Sequence, residues 1–313
     1  MKIYTGTSNP ELSQKIIEIL SQIDDYNTPE KNLLKIEKFA DGEILPKFNE
    51  SIRDQDVMFI QTTNTSDSIV ETLLVIDAAK RAGVGSFTLV APFQGYSRQD
   101  KTDHLRSSIG SKMLSDIFEK VGVTRLITID LHASTIQGFY NIPVIHLNGN
   151  KIFTSYIKSL KLDNLVICSP DHGAVKKNSD FAKAFPDATF AVINKKRIKP
   201  NEIHSMELMG DVNGRNVVIV DDMADTLGTL KKASEILISA GAISVRAIAT
   251  HGVLSGKAFE NLEASKLTEL IISDTIKVTG KSDKLKVISC ADIIANSIHR
   301  LKVHKSIHEI NEV

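Results

Sequence analysis

Short apolar runs alternate with stretches of helical spacing along almost the whole chain. Val217–Asp221 is an example of the first kind, because four consecutive β-branched residues precede an aspartate. Ser68–Arg81 is an example of the second kind, since apolar residues recur there at helical spacing and Gly83 follows. This alternation predicts parallel βαβ units, with a mainly parallel sheet flanked by helices on both faces. The fold class is therefore α/β.

The same alternation resumes after Leu147-Asn148-Gly149-Asn150, and 313 residues are enough for roughly two domains. We therefore predict two tandem α/β domains, residues 1–148 and 149–313. The predicted strands are Lys2–Thr5, Val57–Gln61, Phe87–Ala91, Arg125–Asp130, Leu165–Ser169, Thr189–Ile193, Val217–Asp221, Val245–Thr250 and Leu270–Ser273. The first predicted helix starts at Pro10, directly after the capping residue Asn9. The other predicted helices are Ser68–Arg81, Lys112–Lys120, Gly173–Phe185, Thr229–Ala240 and Ala291–Leu301.

The charge balance narrows the possible partners. Lysine plus arginine equals aspartate plus glutamate, 38 against 38, which argues against a general affinity for nucleic acid or anionic membranes. No apolar run is long enough to span a membrane, and the start has no stretch of signal-peptide length. Cys168 and Cys290 lie in apolar segments without CxxC spacing, so we expect reduced, buried thiols and a cytoplasmic location.

The segment from Asp221 to Thr229 carries the strongest chemical signal. A buried strand ends in Asp221 and Asp222, and a turn with Asp225, Thr226, Gly228 and Thr229 opens a helix expected to begin near Leu230. Backbone N–H groups at a helix start bind anions, Thr hydroxyls add donors, and glycine lets the backbone approach a ligand closely. Carboxylates at a strand end suit sugar hydroxyls or metal-bound water. The plainer alternative is an acidic turn before a capped helix. The segment resembles the phosphoribosyl-diphosphate binding motif of type I phosphoribosyltransferases and ribose-phosphate diphosphokinases.

Four other segments combine residues that suit phosphate chemistry. In an α/β sheet, ligands bind at the carboxyl ends of strands. Pro92–Asp100 mixes aromatics with Arg98 and Gln99 after a predicted strand, and Phe39–Glu43 is a turn with two acids. Asp130-Leu131-His132 and Ser169-Pro170-Asp171-His172 each pair an acid with a histidine at a strand end, where they can orient magnesium through water.

The fifth segment is basic. Asn194-Lys195-Lys196-Arg197 is expected to close a strand before a polar stretch, either as a solvated turn or as a mobile loop that brings cations to a polyphosphate. Two known nucleotide-binding motifs are present only in part. Gly280-Lys281-Ser282 matches the end of a Walker A motif, but Thr275 stands where that motif has its first glycine. Gly83-Val84-Gly85 lacks the third glycine of a dinucleotide-binding fingerprint. ATP would have to be held in another way.

Taken in order and nearly from end to end, these segments resemble the ribose-phosphate diphosphokinase family. The resemblance also covers Asn49–Arg53, residues 209–211 and Thr250–Gly256. It implies two phosphoribosyltransferase-like domains, with the last C-terminal segment able to pack back on the first. It implies transfer of the diphosphoryl group of ATP to the C1 hydroxyl of ribose 5-phosphate with Mg²⁺, and a dimer-based homo-oligomer, commonly a hexamer.

The resemblance also implies residue roles. Lys195 and Arg197 would stabilise the transition state, and His132 and Asp171 would lie at the magnesium site. The residues implied for ATP are Phe39, Asp41, Gly42, Glu43, Arg98, Gln99 and Asp103. Of these, Phe39, Asp41 and Glu43 would approach the adenine from a neighbouring subunit. The residues implied for ribose 5-phosphate are Asp221, Asp222, Asp225, Thr226, Leu227, Gly228 and Thr229. The candidate regulatory residues, for phosphate or ADP, are Ser51, Arg53, Arg106, Ser306 and His308.

Three departures from the family pattern affect these expectations. Leu227 stands where a small residue is usual, and its side chain is expected to point outward without harming binding. Lys101–Ser108 is less basic than usual, with Ser108 in place of proline, and His308 replaces a serine. Catalysis is expected to be retained, whereas phosphate activation and ADP inhibition are left open.

Two rival functions remain. A phosphoribosyltransferase would explain Asp221–Thr229 but not Phe39–Glu43 or Arg98, and it would ignore ATP. A non-catalytic regulatory subunit would be expected to lose the catalytic positions, and Lys195 and Arg197 are present.

Overall fold

The computed structural model describes residues 1–23, 33–102, 105–171, 173–199 and 202–311, and for 195–199 and 202–206 it describes the backbone. The chain divides into two compact units. The first contains Met1–Asn148, Thr275–Lys277 and the C-terminal segment from Cys290, and the second contains Gly149–Asp274 and Val278–Ser289. Each unit is a mainly parallel α/β layer structure, as the alternation along the sequence predicts.

The first unit is built on a parallel five-stranded sheet in the order β1-β4-β5-β6-β7 and a separate two-stranded hairpin. Its strands are β1 (Lys2–Thr5), β2 (Leu34–Lys38), β3 (Ile44–Phe48), β4 (Asp56–Ile60), β5 (Ser86–Ala91), β6 (Arg125–Ile129) and β7 (Val144–Leu147), with β2 and β3 forming the hairpin. Its first helices are α1 (Pro10–Ile23), α2 (Ser66–Arg81) and α3 (Gly110–Val121), followed by a 3₁₀ helix (Ser134–Phe139).

The second unit is built on a seven-stranded sheet in the order β10-β9-β8-β11-β12-β13-β14. Its strands are β8 (Leu165–Ser169), β9 (Thr189–Lys199), β10 (Glu202–Met209), β11 (Asn216–Ala224), β12 (Ser244–Gly252), β13 (Glu269–Ser273) and β14 (Leu285–Ile288). All neighbouring pairs are parallel except β9 and β10. Its helices are α4 (Asn150–Ser159), α5 (Val175–Ala182), α6 (Gly228–Ser239) and α7 (Ala258–Glu263).

The C-terminal helices α8 (Ala291–Lys302) and α9 (His308–Asn311) belong to the first unit. Helix α8 packs against α1. Helix α1 starts as the sequence predicts: the side-chain oxygen of Asn9 accepts a hydrogen bond from the N–H of Leu12 at 3.3 Å, and Pro10 is the first helical residue. The chain therefore returns to its first unit after completing the second.

The basic segment 194–197 does not close a strand, and the expectation that it does is wrong. Strand β9 continues through these residues to Lys199 and pairs with β10 in antiparallel fashion. The apolar run that was expected to be the whole strand, Thr189–Ile193, is only its first half, because the polar second half obtains its backbone hydrogen bonds from β10. Propensity along the sequence does not contain that pairing information.

Both cysteines are free and buried, as predicted. Burial raises the pKa of the Cys168 thiol to about 12, so this group is not a thiolate near neutral pH. Within the described residues, no helix is both long enough and apolar enough to cross a membrane.

Candidate active site

The loop between β11 and α6 has the architecture of an anion site. Strand β11 stays paired with β12 as far as Ala224 and Gly252, so it carries Asp221 and Asp222 beyond Cys168, the last residue of β8 that pairs with it. Both carboxylates are half-buried, and Asp221 Oδ1 accepts the N–H of Asp222 at 2.9 Å. The turn that follows leads directly into α6. Two acids and a helix start therefore lie at the carboxyl end of one central strand.

Helix α6 begins at Gly228, within two residues of the position expected from the sequence, and its N-cap residue, Leu227, makes no side-chain capping hydrogen bond. The first N–H groups of a helix have no partner within the helix, and they carry the positive end of its dipole. A Cβ added at Gly228 would meet no protein atom within 4 Å. The start of α6 therefore offers backbone donors beside open space, which suits a phosphate group.

Leu227 points into the core, and the expectation that its side chain points outward is wrong. The side chain is 4% exposed and belongs to the apolar cluster that also contains Ala224 and Leu230. Its backbone is left-handed, with φ of 62°. Because a left-handed conformation costs a leucine about 1–2 kcal/mol, the buried side chain has to offset that strain. Leu227 thus anchors the loop from the protein side while the backbone of Gly228 faces the open side.

Two side chains from the segment after β12 hold the same loop. Ser255 donates a hydrogen bond to Asp225 Oδ1, and Asn261 Nδ2 donates to the carbonyl of Thr226 at 2.8 Å. The N–H of Val253 donates to the carbonyl of Ala224 at 2.9 Å. These contacts link the loop to α7 and to the segment before it. Asn261 was not identified from the sequence, because a single asparagine within a helix gives no signal there.

Asp171 lies in the loop after β8, the strand next to β11. Its Oδ1 accepts the N–H of Ala174 at 3.1 Å, and its carbonyl accepts the hydroxyl of Ser169 at 2.8 Å. The side chain is half-buried. Because neighbouring parallel strands end at the same edge of a sheet, the Asp171 loop and the Asp221 loop share one edge of the second unit. His172 lies outside the described residues.

His132 follows β6 in the first unit and is exposed. The residues before it are fixed by β7: the N–H of Leu131 donates to His146 Nε2 at 2.9 Å, and the N–H of Asp130 donates to the carbonyl of Leu147 at 3.1 Å. His146 was not identified from the sequence, since its role depends on the pairing of β6 with β7.

The residues assigned to ATP that the structure describes lie on two surface features of the first unit. Phe39, Asp41, Gly42 and Glu43 form the tip of the β2–β3 hairpin, where Phe39 is 48% exposed and Gly42 has φ of 96°. Arg98 and Gln99 are exposed in the loop after β5, and the N–H of Gln99 donates to the carbonyl of Tyr96 at 2.9 Å. An exposed aromatic ring and an exposed guanidinium suit a base and a phosphate.

Several other assigned residues can be located only in part. Asp103 lies outside the described residues. Lys195 and Arg197 are on β9, where they face Met206 and Ile203 of β10 in the pairing register, and their side chains lie outside the described part. The candidate regulatory residues are all exposed positions of the first unit, Ser51, Arg53, Arg106, Ser306 and His308. Of these, Ser306 accepts the N–H of His308 at 3.2 Å.

The donor chemistry of the loops fits magnesium. Magnesium prefers oxygen ligands and is usually held by one or two carboxylates together with substrate phosphates and water. Asp171 and Asp221 supply carboxylates at one sheet edge of the second unit. Among the described residues, no group of three or more His, Cys, Asp or Glu side chains is arranged to hold a metal ion. A metal bound mainly by substrate phosphates needs no such group.

Comparison with known proteins gives consistent matches over the whole chain. Residues 1–122 match the family model described as the N-terminal domain of ribose phosphate pyrophosphokinase, and residues 146–311 match a phosphoribosyl synthetase-associated domain. A ribose-phosphate pyrophosphokinase of Porphyromonas gingivalis is 43% identical over 307 residues, covering 97% of this chain and 96% of the relative. Ribose-phosphate pyrophosphokinase A of Dictyostelium discoideum is 42% identical, covering 99% and 97%.

A solved structure agrees with these relatives. The crystal structure of phosphoribosylpyrophosphate synthetase from Mycobacterium smegmatis superimposes with a TM-score of 0.87 at 32% identity, and the match covers 97% of this chain and 99% of that one.

Proposed function

Because the chain belongs to the ribose-phosphate pyrophosphokinase family, we propose that it transfers the diphosphoryl group of ATP to the C1 hydroxyl of ribose 5-phosphate, giving 5-phosphoribosyl 1-diphosphate and AMP. The product is an activated ribose for nucleotide biosynthesis. The resemblance found in the sequence is confirmed by both family models and by relatives about 40% identical over their full length.

The start of α6 is the observation that carries the assignment of the sugar phosphate site. Its first N–H groups lie beside the open space at Gly228, in the turn that follows Asp221 and Asp222. The 5-phosphate would accept hydrogen bonds from the backbone and from Thr226 and Thr229. The carboxylates of Asp221 and Asp222 would accept hydrogen bonds from the ribose hydroxyls. Leu227 would contribute through its backbone, since its side chain is buried.

ATP would be bound by residues of the first unit. Those at the hairpin tip, Phe39, Asp41, Gly42 and Glu43, would approach the adenine from a neighbouring subunit. Arg98, Gln99 and Asp103 would also bind ATP. Mg²⁺ would be held by His132 through water and by Asp171, and it would neutralise charge on the polyphosphate. Dependence on Mg²⁺ is part of the proposal.

Catalysis would rely on positioning and charge. In diphosphoryl transfer, the C1 hydroxyl oxygen bonds to the β-phosphorus, and the bond from that phosphorus to the α,β-bridging oxygen breaks. Negative charge builds up on the transferred group and on the departing AMP, and no covalent enzyme intermediate is needed. Lys195 and Arg197 would stabilise that charge as preorganised cations. The hydroxyl proton would pass to a base near the sugar, for which the carboxylates of Asp221 and Asp222 are the candidates.

A test of the function is the formation of AMP by the purified chain alone. The mixture contains ATP, MgCl₂ and ribose 5-phosphate, and the control omits the sugar. Sugar-dependent AMP is expected. A phosphoribosyltransferase would leave ATP unchanged and would instead consume 5-phosphoribosyl 1-diphosphate with a nucleobase. A regulatory subunit would be inactive alone, so absence of AMP would contradict the proposal.

Assembly, regulation and location stay predictions. The homo-oligomer expected from the family, dimer-based and commonly hexameric, is tested by light scattering of the purified protein. Phosphate activation and ADP inhibition are tested in the AMP assay with and without these anions, with Arg106→Ala as the variant at the candidate regulatory position. The cytoplasmic location is tested by fractionation of the source cells.

A further inference from the structure

A buried asparagine lies between the two acidic loops of the second unit. Asn178 is in the middle of α5 and is 1% exposed, in a helix whose other buried residue is Phe181. Asparagine is a weak helix former, costing about 0.7 kcal/mol relative to alanine, and a buried amide without partners costs more. Such a residue persists where its hydrogen bonds matter.

The Asn178 side chain links the backbone of both loops. Its Nδ2 donates to the carbonyl of Val220 at 2.8 Å and to the hydroxyl of Ser169 at 3.1 Å. Val220 directly precedes Asp221. Because a carbonyl can only accept, the amide orientation is fixed: the NH₂ group must face Val220. One side chain therefore uses both of its donors at the sheet edge where the carboxylates lie.

The contacts continue into a closed ring that includes Asp171. The Ser169 hydroxyl donates to the carbonyl of Asp171 at 2.8 Å, and Asp171 Oδ1 accepts the N–H of Ala174 at 3.1 Å. The ring closes when the N–H of Asn178 donates to the carbonyl of Ala174 at 2.9 Å. Both the backbone and the carboxylate of Asp171 are thus fixed relative to the amide of Asn178.

The sheet itself does not supply this link. The pairing of β8 with β11 ends at Cys168 and Ile219, one residue before Ser169 and Val220. Beyond the last backbone pair, the Asn178 amide connects the ends of β8 and β11 through its hydrogen bonds to Ser169 and Val220. The residues that it spaces are those assigned to the metal and to the sugar, Asp171 and Asp221.

We propose that Asn178 is a positioning residue for the diphosphoryl transfer, which sets the spacing between Asp171 and Asp221 through Ser169 and Val220. The proposal rests on the proposed function. A shift of about 1 Å in a reacting group can lower the rate about 100-fold, so a single buried amide can have a kinetic effect without any contact to substrate.

The test compares Asn178→Leu with a control variant at the start of β11, the strand that carries Val220. Leucine keeps the number and branching of the side-chain heavy atoms and removes both donors. The control is Asn216→Leu, because Asn216 Nδ2 donates to the carbonyl of Asp163 at 2.8 Å at the start of β11, away from the loops. Both proteins are assayed at a temperature where circular dichroism shows them folded. Asn178→Leu should lower kcat about 10-fold or more, with a smaller change in the KM for ribose 5-phosphate. Asn216→Leu should stay within about two-fold of the unsubstituted chain in kcat.

Ser169→Ala is a second variant that tests the same hydrogen-bonded connection between Asn178 and Asp171. It removes one oxygen and breaks the connection from Asn178 to the carbonyl of Asp171, with little effect on packing. It should lower kcat in the same direction, and the double variant should be no slower than Asn178→Leu, because both changes interrupt one path. If Asn178→Leu does not fold, Ser169→Ala alone decides the question.

The outcomes are distinct. A folded Asn178→Leu or Ser169→Ala with unchanged kcat and only a lower melting temperature would overturn the positioning role and leave Asn178 as a structural residue. An inactive unsubstituted chain would instead contradict the proposed function.

Discussion

The side chain of Leu227 is buried beneath the loop between β11 and α6, and its backbone is left-handed. The orientation of one side chain depends on contacts with residues distant in sequence, such as Ala258 and Leu262 of the same cluster, and no local pattern specifies these contacts.

Replacing Leu227 should therefore reduce stability. Leu227→Ala leaves a cavity and should lower the free energy of unfolding by about 2–4 kcal/mol, as other buried leucines do. Urea unfolding measures this value. Leu105→Ala is the control, since Leu105 is 98% exposed and should change stability by less than about 0.5 kcal/mol. Equal effects of the two variants would mean that Leu227 is not a core residue.

Gly228 should affect binding and not folding. Because an added Cβ meets no protein atom within 4 Å, Gly228→Ala should leave stability unchanged or raise it slightly. The methyl group would enter the space proposed for the 5-phosphate, so the KM for ribose 5-phosphate should rise about 10-fold or more. Steady-state kinetics test this prediction. Gly138→Ala, where an added Cβ also meets nothing, should leave KM unchanged. An unchanged KM in Gly228→Ala would place the phosphate elsewhere.

Tyr156 should make the stability of the protein depend on pH in the alkaline range. Burial and a 2.7 Å hydrogen bond to Glu269 raise the pKa of Tyr156 from 10.0 to about 12. The unfolded chain loses this proton first, so the stabilisation is complete below about pH 10 and is lost as the pH approaches about 12. The melting temperature should thus fall more steeply from pH 10 to pH 12 than that of Tyr156→Phe. Parallel curves would refute this contribution.

At the scale of elements, the sequence predicts most of the sheet strands because their apolar runs are continuous and buried. The nine predicted strands all occur, and the start of α1 is correct because Asn9 and Pro10 give a local signal. The elements that were not predicted include α4, β10 and β14. Apolar and polar residues are mixed in their sequences, and these elements form only through contacts with neighbouring elements. Helix α2 begins at Ser66, earlier than predicted, because Thr65 and Ser68 form a capping box without the usual acid.

Strand β9 carries the two residues proposed for charge stabilisation. Lys195→Ala and Arg197→Ala should each lower kcat about 100-fold or more, because each removes a cation that would act mainly in the transition state. Lys196→Ala is the matched control, since it removes the same charge from the residue between them and should change kcat much less. Single-turnover kinetics with saturating ATP and ribose 5-phosphate provide the measurement. A similar loss in all three variants would indicate a general effect of positive charge and not two specific roles.

At the scale of the whole molecule, the order of segments was more informative than any one motif. The loop at Asp221–Thr229 alone is shared by two enzyme classes, whereas the first unit, with Phe39 and Arg98, distinguishes them. The family models match residues 1–122 and 146–311, which agrees with a resemblance running nearly end to end. The segment Thr275–Lys277 could not be assigned to the first unit from the sequence. Its membership depends on contacts such as the hydrogen bond from the Thr62 hydroxyl to the carbonyl of Thr275, 213 residues apart.

³¹P NMR of the reaction mixture shows whether the diphosphoryl group is transferred intact. The purified chain is incubated with ATP, MgCl₂ and ribose 5-phosphate, and the phosphorus resonances are followed over time. We expect the ATP signals to be replaced in equal amounts by those of AMP and of a diphosphate ester at the ribose C1. The appearance of ADP with a phosphorylated sugar, or of ATP that stays unchanged in the presence of the sugar, would contradict the proposed transfer.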